Sequence, residues 1–225
     1  MPDNKIHVYL MPGMAANSSI FDGLALSQNT FELHKLDWFL PRKKMSLQAY
    51  AKEMLKHVQH DSPVLVGVSF GGLLVQEMAK FINTKKVIII SSVKSKKEMP
   101  KKMIFAKYTK AHKLLPTGVV TNIEVLVKYA FGETVTKRLE LYEKYLSIRD
   151  KFYIDWAIDT MVNWNQEKPL PNTIHIHGTL DNVFPITNIK ECIAVKNGKH
   201  AMIVYRVKWF NEHLPAIILE EGSSI

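Results

Sequence analysis

PVLVGVSFGGLLVQEMAKFI (residues 63–82) joins an apolar, valine-rich run to an amphipathic helical pattern through a turn that is rich in glycine. The first part is typical of a buried β-strand, and residues 72–82 carry apolar side chains at helical spacing. Ser69 lies on the turn in a Gly-x-Ser-x-Gly pattern, between Gly67 and Gly71. The stretch predicts a strand, a sharp turn and a helix, with Ser69 either a nucleophile or simply a small residue that suits the turn.

Strand and helix patterns alternate along most of the chain on both sides of this stretch. Strands are predicted at residues 6–10, 31–36, 63–68, 86–91, 173–178 and 192–196, and helices at residues 47–58, 72–82 and 201–214. Several strands are apolar on both faces, as central strands of a parallel sheet covered by helices are. The pattern predicts a mostly parallel, doubly wound α/β sheet of about six strands.

Residues 94–168 depart from this alternation because they show helical patterns and no convincing strand. A segment of this length is too long for a loop. We expect residues 1–93 and 169–225 to form the α/β core, and residues 94–168 to form a helical cap over one end of the sheet.

The overall composition predicts one soluble globular domain and disfavours several classes of protein. The chain has 225 residues, of which 47% are apolar, and a formal net charge of +9. It carries 26 Lys but only 4 Arg, and Arg is the side chain that reads bases and phosphates, which disfavours a nucleic-acid partner. The single Cys192 and the absence of signal-peptide and membrane-length apolar patterns favour a cytoplasmic protein with no membrane span.

A serine hydroxyl is an effective nucleophile only when a histidine removes its proton and an acid orients that histidine. Asp181 follows the strand predicted at residues 173–178, and His200 lies in the turn before the last helix. Both fall at the carboxyl edge of the sheet with Ser69, in the chain order serine, acid, histidine that accompanies a nucleophile on a strand-to-helix turn. The sequence therefore predicts a Ser69–His200–Asp181 triad.

Other titratable side chains fit these roles less well. Asp37 follows the second strand and has the wrong chain order for the acid, and His213 lies at the end of a helix. His175 and His177 alternate along one strand and are expected to face opposite ways, so they are not expected to bind one metal ion together. No metal site and no cofactor is predicted.

The loop after the first strand, residues 11–24, is expected to contribute to the site beside the Ser69 turn. A tetrahedral intermediate needs hydrogen-bond donors for its oxyanion. We expect the backbone N–H groups of Phe70 and Met14 to form this oxyanion hole, with Gly13 allowing an unusual backbone turn. The alternative is that the loop is an ordinary strand-to-helix connection.

Four stretches of the sequence, PGMAANSSIF, GVSFGG, HGTLDNVFP and GKHAMI, together resemble the α/β-hydrolase superfamily. They look like its oxyanion loop, nucleophile elbow, acid loop and histidine turn, and the resemblance covers essentially the whole chain. It implies the α/β-hydrolase fold, Ser69, Asp181 and His200 as the triad, and a variable cap at residues 94–168. The chain looks similar to small bacterial carboxylesterases and to esterases that act on carrier-bound acyl chains.

The resemblance favours hydrolysis of a small-molecule carboxylic ester or thioester through an acyl-enzyme on Ser69. Five side chains of the cap could line an apolar acyl pocket, or could instead pack the cap against the core: Met103, Phe105, Phe131, Trp156 and Trp164. Two other functions stay open, since fold does not fix chemistry. One is a lyase-like, non-hydrolytic reaction with the same triad, and the other is a catalytically silent module that binds a ligand.

Eight Lys residues and a single acid, Glu98, lie in the segment Lys94–Lys113. Such a lysine cluster is either a solvated helix face or a docking surface for an acidic partner. Charge attraction could steer an acidic acyl carrier protein or a coenzyme A phosphate to this cluster.

Overall fold

The computed structural model describes residues 5–109 and 144–220, and a six-stranded parallel sheet forms its centre. The strands are β1 (Ile6–Met11), β2 (Phe31–Lys35), β3 (Val64–Val68), β4 (Lys86–Ile90), β5 (Thr173–Gly178) and β6 (Ile193–Val195). Their order across the sheet is β2-β1-β3-β4-β5-β6, and every pairing is parallel. This confirms the doubly wound α/β sheet that the sequence predicts.

Helices cover the sheet on both faces. They are α1 (Leu47–Met54), α2 (Phe70–Met78), α3 (Lys101–Thr109), α4 (Lys151–Asn163), α5 (Met202–Tyr205) and α6 (Val207–Leu219). Short 3₁₀ helices lie at Ser18–Phe21, Leu55–His57, Lys96–Glu98 and Ile186–Asn188. Within the described residues, every helix is too short or too polar to cross a membrane.

Two apolar layers form because successive strand residues point to opposite faces of the sheet. Val8 packs in one layer and Tyr9 in the other. Phe210 of α6 closes the first layer, whereas Tyr50 of α1 and Leu73 of α2 close the second. The central strands are buried on both sides, and this explains their nearly continuous apolar sequences.

The strand order reverses between β1 and β3, because β2 lies on one side of β1 and β3 on the other. In open α/β sheets, ligands bind in the crevice outside the carboxyl ends of the strands at this reversal. The loop after β1 and the turn that carries Ser69 both open into that crevice.

The predicted cap is described only in part. Residues 94–109 and 144–168 include α3 and α4, and residues 110–143, with the candidate pocket residue Phe131, lie outside the described residues. The side-chain amide of Gln166 donates to Gln76 Oε1 at 2.9 Å and to the Lys94 carbonyl at 2.8 Å. The backbone carbonyl of Gln166 accepts the N–H of Lys96. The two ends of the segment are thus tied to each other and to α2, while the cap as a separate unit stays a prediction.

Candidate active site

Ser69 occupies a strained turn between the end of β3 and the start of α2. Its backbone has φ 52° and ψ −119°, a conformation that non-glycine residues rarely adopt and that concentrates at functional sites. The turn is fixed by Ser69 N–H, which donates to the Ile90 carbonyl at 2.9 Å, and by the Ser92 hydroxyl, which donates to the Ser69 carbonyl at 2.7 Å. The end of β4 therefore braces the turn and holds the Ser69 side chain at the sheet edge.

The glycines on either side of Ser69 are required by close backbone approach. A Cβ atom at Gly67 would lie 2.3 Å from the Gly71 carbonyl oxygen, and one at Gly71 would lie 2.3 Å from the Pro12 carbonyl oxygen. Both distances are far below van der Waals contact. The Gly-x-Ser-x-Gly spacing thus allows α2 to begin directly against β3 and the loop after β1.

Ser69, His200 and Asp181 form one chain of hydrogen-bonding distances. His200 Nε2 lies 3.0 Å from Ser69 Oγ, and His200 Nδ1 lies 2.9 and 3.1 Å from the two carboxylate oxygens of Asp181. Because an ionised carboxylate can only accept, Nδ1 carries the proton and the Nε2 lone pair faces the serine hydroxyl. This arrangement can remove the hydroxyl proton when Ser69 attacks an electrophile, although the catalytic roles themselves stay a prediction.

Asp181 is held by the backbone that follows it. Its Oδ1 accepts the N–H groups of Val183 at 2.8 Å and Phe184 at 2.9 Å. Burial alone would raise the pKa of Asp181, but the charge and hydrogen bond of His200 and the Phe184 N–H outweigh burial and lower that pKa. The carboxylate therefore stays ionised beside His200.

The expectation that His175 and His177 face opposite ways is wrong, because residues two apart on a strand point to the same face. His175 Nε2 lies 2.9 Å from His177 Nδ1, and His177 Nε2 lies 2.8 Å from the Phe184 carbonyl oxygen. That oxygen can only accept, so His177 Nε2 carries a proton and His177 Nδ1 accepts from His175. The pair fixes Phe184, whose N–H in turn holds Asp181.

Burial keeps both of these histidines neutral. It lowers the pKa of His177, and together with the neighbouring His177 and Lys94 it lowers the pKa of His175 to about 2. Neither of these two rings takes up a proton at neutral pH.

The loop after β1 packs directly against the Ser69 turn. A Cβ atom at Gly13 would lie 3.4 Å from Ser69 Cβ, and the Gly13 carbonyl accepts the indole N–H of Trp38 at 2.9 Å. The unusual backbone torsion belongs to Ala15, with φ 64°, and not to Gly13 as the sequence suggested. Met14 is half-buried between the two apolar layers, and Phe70 begins α2. Their N–H groups as oxyanion donors stay predictions.

Asp37 lies in a different environment from Asp181. Its carboxylate accepts the backbone N–H of Ser18 at 2.7 Å and the Ser18 hydroxyl at 2.8 Å. It therefore braces the loop after β1. His213 is exposed on α6, where its ring stacks on Trp209.

The candidate pocket residues lie in unequal surroundings. Trp156 packs edge-on against the Phe70 ring and donates its indole N–H to the Met45 carbonyl, whereas Trp164 donates to the buried carboxylate of Glu77. Both indoles thus anchor residues 151–164 to the core. Met103 is buried and Phe105 is 66% exposed. Their contact with an acyl chain stays a prediction.

The lysines of the cluster differ in their exposure to solvent. Lys94 is buried, and its ammonium group donates to the carbonyls of Lys190 and Glu191, so Lys94 cannot dock a partner as the sequence suggested. Lys96 pairs with Glu167. The exposed members among the described residues are Lys97, Lys101 and Lys102.

Two residues that shape the site, Trp38 and Ser92, were not predicted from the sequence. Each donates a hydrogen bond to the backbone carbonyl of a residue that is distant in the sequence. No sequence motif indicates these hydrogen bonds. Trp38 and Ser92 do come just after parallel strands, and this position alone predicts that they lie at the same edge of the sheet as Ser69.

No protein-family model matches the sequence, and no curated protein matches it significantly. Many solved structures do match. A hydrolase from Pseudomonas aeruginosa PA01 superposes with a TM-score of 0.73 at 14% identity, covering 96% of this chain and 91% of that one. An esterase from Exiguobacterium antarcticum superposes with a TM-score of 0.70 at 16% identity, covering 96% of this chain and 93% of that one. A bromoperoxidase from Bacillus anthracis superposes with a TM-score of 0.67 at 15% identity, covering 96% of this chain and 92% of that one.

The chain has the α/β-hydrolase fold. Within this α/β-hydrolase fold, the four stretches that carried the resemblance lie at the carboxyl ends of β1, β3, β5 and β6. Identities this low establish the fold, and the activity must be argued from the site.

Proposed function

We propose that this protein is a serine hydrolase that cleaves a carboxylic ester or thioester through an acyl-enzyme on Ser69. The observation that supports this proposal is the continuous hydrogen-bonded chain from Ser69 Oγ through the His200 ring to the buried carboxylate of Asp181. The strained backbone at Ser69 adds support, because a turn of this kind exposes the serine side chain at the sheet edge.

The first half of the reaction acylates Ser69. His200 Nε2 takes the hydroxyl proton as Oγ attacks the substrate carbonyl, and Asp181 stabilises the imidazolium that forms. Collapse of the tetrahedral intermediate breaks the bond to the alcohol or thiol, which leaves with the proton from His200. In the second half, His200 takes a proton from water, the resulting nucleophile attacks the acyl-enzyme, and the proton returns to Ser69 as the acid is released.

The oxyanion of each tetrahedral intermediate needs two donors. Phe70 N–H is suited to this role because the first N–H groups of a helix have no partner within the helix. Met14 N–H would supply the second donor. The loop that carries Met14 is braced by the indole of Trp38 through the Gly13 carbonyl.

The acyl group would lie against the side chains that the cap offers. Trp156 is the best supported of the five candidates because its ring contacts that of Phe70, the residue after the nucleophile. The other candidates remain Met103, Phe105, Phe131 and Trp164. If the acyl group arrives on an acidic carrier protein, the exposed cations that could attract it include, among the described residues of the cluster, Lys97, Lys101 and Lys102.

A fluorophosphonate probe tests the nucleophile directly. We expect stoichiometric labelling of the wild-type protein at Ser69, located by peptide mass, together with hydrolysis of nitrophenyl esters or acyl thioesters. Ser69→Ala should lose both labelling and turnover and keep its fold. Ser27→Ala, which alters an exposed serine, is the matched control and should behave as wild type.

The proposal fails in either of two outcomes. If Ser69→Ala retains labelling or turnover, Ser69 is not the nucleophile. If the wild-type protein is neither labelled nor active on any acyl ester or thioester, the chain is a ligand-binding module or catalyses another reaction.

A further inference from the structure

Three histidines that are far apart in the sequence meet over β1 and β2. His7 lies in β1, His34 in β2, and His60 in the segment that leads to β3. One ring nitrogen from each lies within 4.8 Å of those from the other two. All three residues are half-buried. We call this group the histidine cluster.

The rings of the cluster are held in place by their neighbours. His7 Nδ1 lies 3.0 Å from His34 Nε2, and the His7 ring stacks on the His60 ring with centroids 3.4 Å apart. The Tyr9 hydroxyl lies 2.7 Å from His60 Nδ1 and accepts the N–H of Gln59 at 3.0 Å. The His34 ring stacks on Tyr9, its partner in the strand register.

These contacts leave the cluster suited to a cation with a preference for nitrogen ligands. When His60 Nδ1–H donates to Tyr9, its Nε2 carries a free lone pair, and a hydrogen bond to the second ring nitrogen is the usual support for a metal-bound histidine. Glu32 Oε1 lies 4.0 Å from His34 Nε2 and adds a negative charge.

The ring nitrogens are near enough to share one ion, provided that the stacked rings of His7 and His60 rotate until both lone pairs point at it. Two nitrogens bound to one tetrahedral Zn²⁺ at about 2.0–2.1 Å lie roughly 3.3 Å apart. The His7–His34 pair is close to this separation, and the His60 nitrogen, which lies within 4.8 Å of the other two, needs to approach them by up to about 1.5 Å. Zinc, nickel and copper ions prefer imidazole ligands of this kind, whereas magnesium and calcium prefer oxygen.

We propose that His7, His34 and His60 bind one divalent transition-metal ion of the zinc class, with Glu32 or water as a further ligand. Because β2 is an edge strand of the sheet, the ion would cross-link this edge to β1 and to the chain entering β3. The cluster lies beside the start of β1, whereas the loop next to Ser69 follows its end. The proposal is therefore independent of the proposed hydrolase activity.

Zinc binding to the full chain tests the proposal. After treatment with a chelator, we expect the wild-type protein to retain about one equivalent of added Zn²⁺ through dialysis and to melt at a higher temperature with Zn²⁺ present, because a ligand that binds only the folded state stabilises it. Co²⁺ should give the absorption of a tetrahedral site. Ser69→Ala should bind zinc as wild type does.

Variants locate the ion. His34→Gln, His7→Gln and His60→Gln should each weaken zinc binding at least about tenfold, and Tyr9→Phe should weaken it by about tenfold through the loss of support for His60. His57→Gln, an exposed histidine three residues before His60, is the matched control and should bind as wild type. Melting in the presence of chelator checks that each variant is folded.

The proposal is overturned if excess Zn²⁺ does not raise the melting temperature of the wild-type protein, a result that needs no variant. It is also overturned if folded His34→Gln binds zinc as tightly as wild type, or if His57→Gln loses binding to the same extent.

Discussion

Asp181 shows how a single side chain can be given one orientation. Its Oδ1 accepts two backbone N–H groups, from Val183 and Phe184, while its Oδ2 is the oxygen nearest His200 Nδ1. The two oxygens are therefore not equivalent. One is used to fix the loop, and the other is left to hold the proton of the imidazole.

This asymmetry predicts the effect of Asp181→Asn. The amide oxygen of asparagine should take the Oδ1 position, because two N–H groups point at it, and the NH₂ group should then face His200 Nδ1. The imidazole would turn to the tautomer protonated on Nε2 and could no longer accept the Ser69 proton. We expect kcat to fall by about 10⁴, the scale of the same change in serine proteases, with little change in fold.

Asp37→Asn is the matched control, because Asp37 contacts Ser18 and not His200. Its turnover of an acyl ester should fall by far less than about 10⁴-fold, because Asp37 only braces the loop after β1. Near-normal kcat in Asp181→Asn, or a loss of similar size in Asp37→Asn, would show that the acid has been assigned to the wrong residue.

At the scale of elements, the sequence was most informative where strand, turn and helix patterns meet at Ser69. The predicted strand at 63–68 and the observed β3 differ by one residue, and α2 begins two residues earlier than expected. Helix ends set by tertiary contacts were harder to predict. The helix expected at 201–214 is two helices that meet at Arg206, and α6 continues past Pro215 because buried Ile217 and Ile218 hold it.

The Ser69 turn predicts a steric penalty for Gly71→Ala. The new Cβ would lie 2.3 Å from the Pro12 carbonyl oxygen and 2.6 Å from that of Met11, and backbone atoms cannot rotate away as a side chain can. We expect the free energy of unfolding to fall by roughly 1–3 kcal/mol or more, together with a loss of turnover as the loop beside Ser69 shifts. Chemical denaturation and ester kinetics measure the two effects.

Gly13→Ala is the control for stability, because the nearest contact of its new Cβ is 3.4 Å and is ordinary. Its free energy of unfolding should lie close to the wild-type value. Equal stability of Gly71→Ala and the wild-type protein would mean that the turn is more adaptable than these distances allow.

At the scale of the whole molecule, a parallel sheet made much of the candidate site predictable. The carboxyl ends of parallel strands meet at one edge, so Ser69, Asp181 and His200 could be expected together from strand positions alone. Contacts across the sheet were not predictable in this way. His7, His34 and His60 meet because β1 pairs with β2 and the segment before β3 folds back against them. The His175–His177 contact was missed because residues two apart on a strand were expected to face opposite ways.

Buried neutral histidines should make the whole fold sensitive to acid. The folded pKa of His175 is about 2, below the ordinary value of 6.5, so below pH 6.5 the unfolded chain binds a proton that the folded chain does not. Its stabilising contribution is complete above 6.5 and is lost as the pH falls from there towards 2. His177 acts in the same direction. The folded pKa of Asp181 lies below 3.8, so its contribution to the free energy of unfolding is lost only at lower pH than that of the histidines.

His175→Gln isolates this effect, because the glutamine amide can still donate to His177 Nδ1 but cannot titrate. Between about pH 7 and about pH 5, the wild-type protein should lose roughly 2 kcal/mol more unfolding free energy than the variant, since each such histidine contributes about 1.4 kcal/mol per pH unit below its unfolded pKa. Urea denaturation across this range measures the difference. His213→Gln removes an exposed histidine and should follow the wild-type pH dependence. Parallel curves for His175→Gln and the wild-type protein would mean that His175 accepts a proton while the chain is folded, and that the buried pair does not set the acid limit of this fold.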